Sequence, residues 1–391
     1  MTTDPAPLSP PSGHGRLCAP LFEPFTSSGL ELANRIVMAP MTRSHSPGGT
    51  PGADVAAYYR RRAEGGVGLI VTEGVGIDHP SAVDGPRIPL LHGPAVEGWR
   101  HVVSEVHAAG GRIVPQLWHQ GVMRDRATAA DPQVESSRPS GLWGPLGKHS
   151  LKADYLERAM PPTRPMTESE IADVIAAYAR SAANAKAAGF DGVAVHGAHG
   201  YLIDSFLWGE TNKRTDRWGG GHRERARFGA EVVAAIRGAV GPGLPIVFRF
   251  SQHKSQDYTA RTAETPKALE DLLVPLAEAG VDIFDGSLRR IDTPTFEGSP
   301  LNTAGWAKKL TGKPTISGGG IGVSTVLHEM FATGDVAAVD NLEPAMARFA
   351  RGDFDLLSVG RSLISDPQFA RRLRTGEPFL PFDKAALARL S

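Results

Sequence analysis

The stretch VAVHGAHGYL, residues 193–202, joins an apolar run to His196, His199 and Tyr201. All three side chains donate hydrogen bonds. Two imidazoles this close can converge on one oxygen atom, and the phenol that follows can deliver a proton beside it. The same spacing also allows a zinc site, but no third ligand of suitable type stands nearby. A plainer reading has one or both histidines satisfying backbone carbonyls.

Such a trio needs a rigid support. Short apolar runs recur along the chain: RIVMAP (35–40), GLIVTEG (68–74), RIVPQLWH (112–119), GVAVHG (192–197), PIVFRFS (245–251), VDIFDGS (281–287), KPTISGGG (313–320) and FDLLSVGR (354–361). They are rich in Val and Ile and do not alternate, the pattern of strands buried on both faces. Helix-like segments separate most of them, at 54–66, 95–111, 167–189, 224–241 and 267–280. In the third, Thr167 is the N-cap, Glu170 completes a capping box and Gly189 ends the helix. Eight such alternations predict an α/β fold, a (β/α)8 TIM barrel. A doubly wound sheet is the alternative, but no Gly-rich dinucleotide fingerprint follows the first strand.

Two connections are too long for plain βα loops. Residues 120–166 are dense in Pro and Gly, and 251–266 are polar. Both follow strand C-termini, so they are expected to rim a pocket on that face. LFEPFTSSGLELANR (21–35) reads as a hairpin closing the opposite end. Residues 1–16 carry four prolines and no apolar segment, which predicts a disordered tail. The remainder, 17–391, reads as one domain.

In a barrel the strand C-termini carry the chemistry. Here they present Pro40, Met41 and Thr42, then Glu73 and Gly74, then Gln116 and Trp118, then the trio, then Arg249, Gly318–Gly320, and Gly360 with Arg361. Glycines after the seventh strand let backbone N–H groups approach an anion, and Arg361 after the eighth adds a guanidinium. A tight turn is the simpler account of the glycines. Gln116 both donates and accepts, matching an imide edge. Arg249 sits in an apolar strand with no carboxylate evident nearby, so a ligand that develops negative charge would suit it. The alternative is an ion pair with a distant acid. Thr42 can hydrogen-bond a carbonyl or merely pack. Trp118 can line a pocket or belong to the core.

Composition narrows the class. The chain has 391 residues, 41% hydrophobic and 21% charged, with 42 basic and 42 acidic side chains. Nothing in that balance indicates a nucleic-acid or anionic-membrane partner. No apolar run approaches the ~18 residues of a membrane span. The single Cys18 excludes an internal disulfide and a cysteine metal site and fits a reducing compartment, so a cytoplasmic location is expected.

With these residues assembled, the chain resembles the old yellow enzyme family of FMN-dependent ene-reductases. The resemblance is carried, in family order, by NRIVMAPMTRSHSPGGTP, YYRRRAEGGVGLIVTEG, PQLWHQG, HGAHGYLIDSFLWGETNKRTDRWGG and VGRSLISDP, over roughly residues 20–380. It implies a non-covalent FMN, NADPH or NADH as hydride donor, and a small-molecule substrate with an electron-poor alkene. It assigns Pro40, Met41 and Thr42 to the flavin lining, Gly74 to close approach, Gln116 to the pyrimidine edge and Arg249 to the N1 side. Gly319, Gly320, Gly360 and Arg361 fall to the phosphate. His196 and His199 would grip the substrate oxygen, with Tyr201 as proton donor. Relatives often form homo-oligomers.

Some positions depart from the pattern. Phe382 stands where some members place a tyrosine near the substrate, and Thr42 where another branch has cysteine. SGGG is richer in glycine than many relatives. The same residues would also serve a desaturase or aromatising oxidase, or a redox-sensing flavoprotein, although binding FMN alone does not require Tyr201. One cysteine leaves no room for an iron–sulfur domain in these 391 residues.

Overall fold

The computed structural model describes residues 13–326, 329–330 and 333–391. Eight parallel strands close on themselves: β3 (Ile36–Met38), β4 (Leu69–Gly76), β5 (Arg112–Trp118), β6 (Val193–His199), β7 (Ile246–Lys254), β8 (Ile283–Ser287), β9 (Thr315–Gly318) and β10 (Leu356–Val359). Their order is β10-β3-β4-β5-β6-β7-β8-β9, with β10 pairing β3 to complete the ring. This is the expected (β/α)8 barrel, and all eight apolar runs are its strands.

The runs do not alternate because both faces are buried. Val37, Leu69, Val71, Val114, Ala194, Val247, Ile283, Ile316 and Leu356 form one inner cluster. Neighbours of opposite parity, among them Ile36, Ile70, Ile113, Val195, Phe248, Phe284 and Leu357, pack against the helices outside. The hairpin of β1 (Phe25–Ser27) and β2 (Leu30–Leu32) is antiparallel. Its Phe25, Leu30 and Leu32 join the inner cluster and plug the barrel's N-terminal end.

One step further along each strand, the inner face turns polar. Two residues beyond Val114, Ala194, Val247 and Ile283 stand Gln116, His196, Arg249 and Asp285. Strand periodicity places these side chains in the next inner layer. The candidate site is therefore the upper layer of the barrel itself.

Helix boundaries follow local signals. Thr167 and Glu170 make the capping box of helix Glu168–Ala188, and Gly189 ends it at φ +90°. The helix expected over 224–241 divides at Ala226 into His222–Arg225 and Arg227–Val240. The tail expected over 1–16 lies outside the described residues as far as residue 12, and His14–Cys18 form a short helix.

The long connections also differ from plain loops. Residues 120–166 contain a helix, Ala153–Ala159. β7 runs to Lys254, three residues beyond its expected end, because a register shift between Gly197 and His199 lets His199 pair with Lys254. The two connections meet: Gly147 N–H donates to the Gln256 carbonyl at 3.1 Å and Tyr258 N–H to that of Lys148 at 2.7 Å. Among the described residues, no helix is long and apolar enough to cross a membrane.

Candidate active site

The trio converges. The His196 and His199 rings lie 5.2 Å apart at right angles, and Tyr201 packs 4.9 Å from His196. Trp118 stacks beside His196 at 6.3 Å and meets Tyr201 edge-on at 5.0 Å. Trp118 thus lines the trio while counting among the buried side chains. Gly74 makes room for it, since a Cβ there would stand 2.5 Å from the indole.

The turn that presents the trio is strained. His199 has φ +64° and Gly200 φ +82°. A left-handed non-glycine residue costs about 1–2 kcal/mol, so the turn must be held from outside. His199 N–H donates to Ser251 Oγ at 3.0 Å, and Gly200 N–H to Asp204 Oδ2 at 2.7 Å. Asp204 in turn receives Lys254 Nζ on both oxygens, at 2.6 and 2.7 Å, and both side chains are fully buried. Neither Asp204 nor Lys254 stood out in the sequence.

Burial pushes the His196 pKa down to about 3, and Arg249 adds to the effect. His199 is held well below the ordinary value, by burial first and then by His253, His196, Arg249 and Lys254. Burial raises the Tyr201 pKa, so the phenol keeps its proton at neutral pH. Neutral imidazoles still donate one N–H each. His199 Nε2 lies 2.8 Å from Ser287 Oγ, which also receives Arg249 Nη2 at 3.0 Å. Arg249 can only donate, so Ser287 Oγ accepts from it and keeps a second lone pair and its own hydrogen for the contact with His199 Nε2.

A third histidine joins them. His253, on the extended end of β7, lies 5.1 Å from His199, and burial together with Arg289 pushes its pKa down to about 3. Histidines buried neutral destabilise a fold on acidification. Between pH 6.5 and 3 the unfolded chain binds protons that the folded one does not, so stability falls as pH drops through that window. His253→Phe is expected to flatten this acid limb of Tm against pH. An unchanged slope would remove His253 from the account.

Arg249 makes the ion pair with a distant acid that is its alternative reading. A carboxylate does face it: Asp285 on the next strand forms an ion pair with it. Arg249 Nε nevertheless has no partner among the described residues, and neither do Gln116 Nε2, His196 Nδ1 or Asp285 Oδ1. Buried polar atoms without partners are uncommon, and several in one layer point to a ligand.

Pro40 and Met41 are half-buried and Thr42 is exposed at the end of β3. Glu73 organises this segment, its Oε2 accepting from the backbone N–H of Arg43 and Ser44 at 2.8 Å each. Met41 faces Gly360, where a Cβ would lie 3.5 Å from its sulfur. Gly318 and Gly319 are required by close packing, since a Cβ would stand 2.4 Å from the Ser358 carbonyl and 2.8 Å from that of Leu288. Gly320 has φ +71°. The tight-turn account of these glycines therefore holds alongside any anion site.

Arg361 donates to the Thr325 carbonyl. Burial and the neighbouring Arg289 push its pKa down to about 10. Arg289, absent from the sequence reading, lies 4.0 Å over the Tyr258 ring with a buried Nη2 lacking a hydrogen-bond partner among the described residues. A second guanidinium within electrostatic reach of Arg361 adds positive charge that would favour an anion here. Phe382 is half-buried just before the turn Lys384–Leu387, which Arg43 anchors through the Ala386 carbonyl at 2.8 Å. No ring contact joins Phe382 to the trio among the described residues.

The family model of the NADH:flavin oxidoreductase / NADH oxidase family matches residues 20–379. The chain belongs to this family. Morphinone reductase, solved in complex with tetrahydroNAD, superposes with a TM-score of 0.77 at 29% identity, covering 94% of this chain and 93% of that one. An old yellow enzyme homologue from Zymomonas mobilis gives 0.76 at 26% identity, with 94% and 96% covered. The metal reductase of Desulforamulus reducens is 32% identical over 92% of this chain, which spans only 49% of that relative. The family membership and barrel agree with the resemblance carried by the motifs.

Proposed function

We propose that this chain is an FMN-dependent oxidoreductase that reduces activated C=C bonds, in α,β-unsaturated carbonyls and nitroalkenes, with NADPH or NADH. The observation that carries this reading is the convergence of two neutral histidines and a protonated tyrosine beside a layer of unpartnered polar atoms.

The donors present suit the flavin. Gln116 Nε2 and Arg249 Nε are buried and free to donate to a pyrimidine edge. Pro40, Met41, Thr42 and Gly74 line the same rim. Gly319, Gly320, Gly360 and Arg361, with Arg289 added, hold the phosphate. FMN when bound supplies the hydride chemistry.

The protein's own groups do the rest. His196 and His199 donate to the substrate's carbonyl or nitro oxygen and draw electron density from the β-carbon. That oxygen gains negative charge as the hydride arrives, so the same two bonds strengthen in the transition state. Tyr201 then donates its phenolic proton to the α-carbon. Trp118 walls the pocket, and Phe382 contributes an apolar surface with no hydroxyl.

Purified protein is expected to show flavin absorption, and p-hydroxybenzaldehyde should add a long-wavelength charge-transfer band. His196→Ala and His199→Ala should each weaken that phenol roughly 10–100-fold, the worth of a hydrogen bond to a charged oxygen. Recovery of FAD, or of no flavin after reconstitution, would overturn the cofactor. Unchanged phenol affinity in both variants would overturn the substrate site.

A further inference from the structure

Three strands place a charged pair beside the trio. His196 on β6 is the register partner of Arg249 on β7, and Arg249 that of Asp285 on β8. Partners in a parallel ladder point to the same face, so the three side chains rise together from the inner wall. The Arg249 and Asp285 side chains are 12% and 3% exposed. Each retains a buried polar atom without a partner among the described residues, Arg249 Nε and Asp285 Oδ1. β8 thus holds Arg249 twice, through the Asp285 carboxylate and through Ser287 Oγ at 3.0 Å.

A guanidinium with no counter-charge would favour the anionic, reduced form of a flavin bound against it. Such a site makes the flavin easy to reduce and correspondingly reluctant to give its electrons up. A carboxylate in contact with the guanidinium changes that balance, because charges in a buried layer are weakly screened. We propose that Asp285 is a positioning residue for the flavin site: it aims the Arg249 guanidinium and offsets its charge, so that reduced FMN is a stronger hydride donor. This rests on the functional reading above and adds the residue that sets the driving force.

The matched placement supports the role. Arg249 and Asp285 are each a charged residue inside an apolar run, PIVFRFS and VDIFDGS. A buried pair alone is seldom worth its desolvation as a source of stability. Both members also face the polar upper layer, where the pair leaves Nε free for a ligand and Ser287 continues the hydrogen bonds to His199.

Asp285→Asn in the FMN-loaded protein tests this. The measurements are the midpoint potential and the dissociation constants of oxidised and reduced FMN. The ratio of reduced to oxidised affinity is expected to rise roughly tenfold, equivalent to an upward shift of about 30 mV for a two-electron couple. Asp285→Glu keeps the charge and should stay near the wild-type potential. Asp285→Ser carries the same expectation as the amide should that variant fail to fold. An unmoved or lowered potential in a folded, FMN-loaded Asp285→Asn or Asp285→Ser protein overturns the inference alone. Failure of the wild-type chain to bind FMN overturns the functional reading and this inference with it.

Discussion

Tyr201→Phe is expected to slow reduction of a simple enone by about 10²–10⁴-fold, the usual range for losing a positioned general acid. Phenol binding and FMN reduction by NADPH should remain near wild type. The reason is geometric. The ring rests 5.0 Å from Trp118 and 4.9 Å from His196, and phenylalanine keeps both contacts. Only the hydroxyl is lost, whose proton burial holds in place at neutral pH. A nitroalkene should suffer less in hydride transfer, because a nitronate is stable enough to leave unprotonated. Steady-state turnover of an enone and a nitroalkene, with hydride transfer followed by stopped flow, separates the steps. A wild-type enone rate in the variant, with hydride transfer limiting neither protein, would assign the proton to another donor.

Lys254→Met is expected to cost about 3–5 kcal/mol of stability, the usual result of leaving a buried charge unpaired. Lys254 and Asp204 are both fully buried, so the abandoned carboxylate has no route to water. The loss should reach the site as well, because Asp204 also accepts the Gly200 N–H within the left-handed turn. Phenol affinity should therefore fall although Lys254 touches no substrate atom. Lys254→Met combined with Asp204→Asn should recover part of the stability, since no bare charge remains. Urea unfolding with a parallel phenol titration measures both effects. A loss below about 1 kcal/mol would show that Asp204 finds other partners and that the pair does not hold the turn.

Much of the scaffold is determined locally. A strand buried on both faces needs a continuous apolar run, and eight such runs bounded by Gly, Pro or polar residues are visible in the chain. The capping box of Thr167 and Glu170 is equally local, a reciprocal pair of hydrogen bonds within one turn. His196, His199 and Tyr201 are legible for the same reason: one strand end and its turn carry all three.

The remaining site residues depend on register. Asp285 lies 36 positions from Arg249, and only the β7–β8 pairing makes the two neighbours. Each charged residue is visible inside its own apolar run, but a run does not state which residue of the next strand it will face. Asp204 meets Lys254, the Glu73 carboxylate meets the Arg43 and Ser44 amides, and Arg289 comes within electrostatic reach of Arg361, by similar long-range closures. The period of two in a strand specifies which face a side chain takes. Closure of the barrel, with the stagger between its strands, decides what that side chain meets, and so which charges in the upper layer stand paired and which donors stay free.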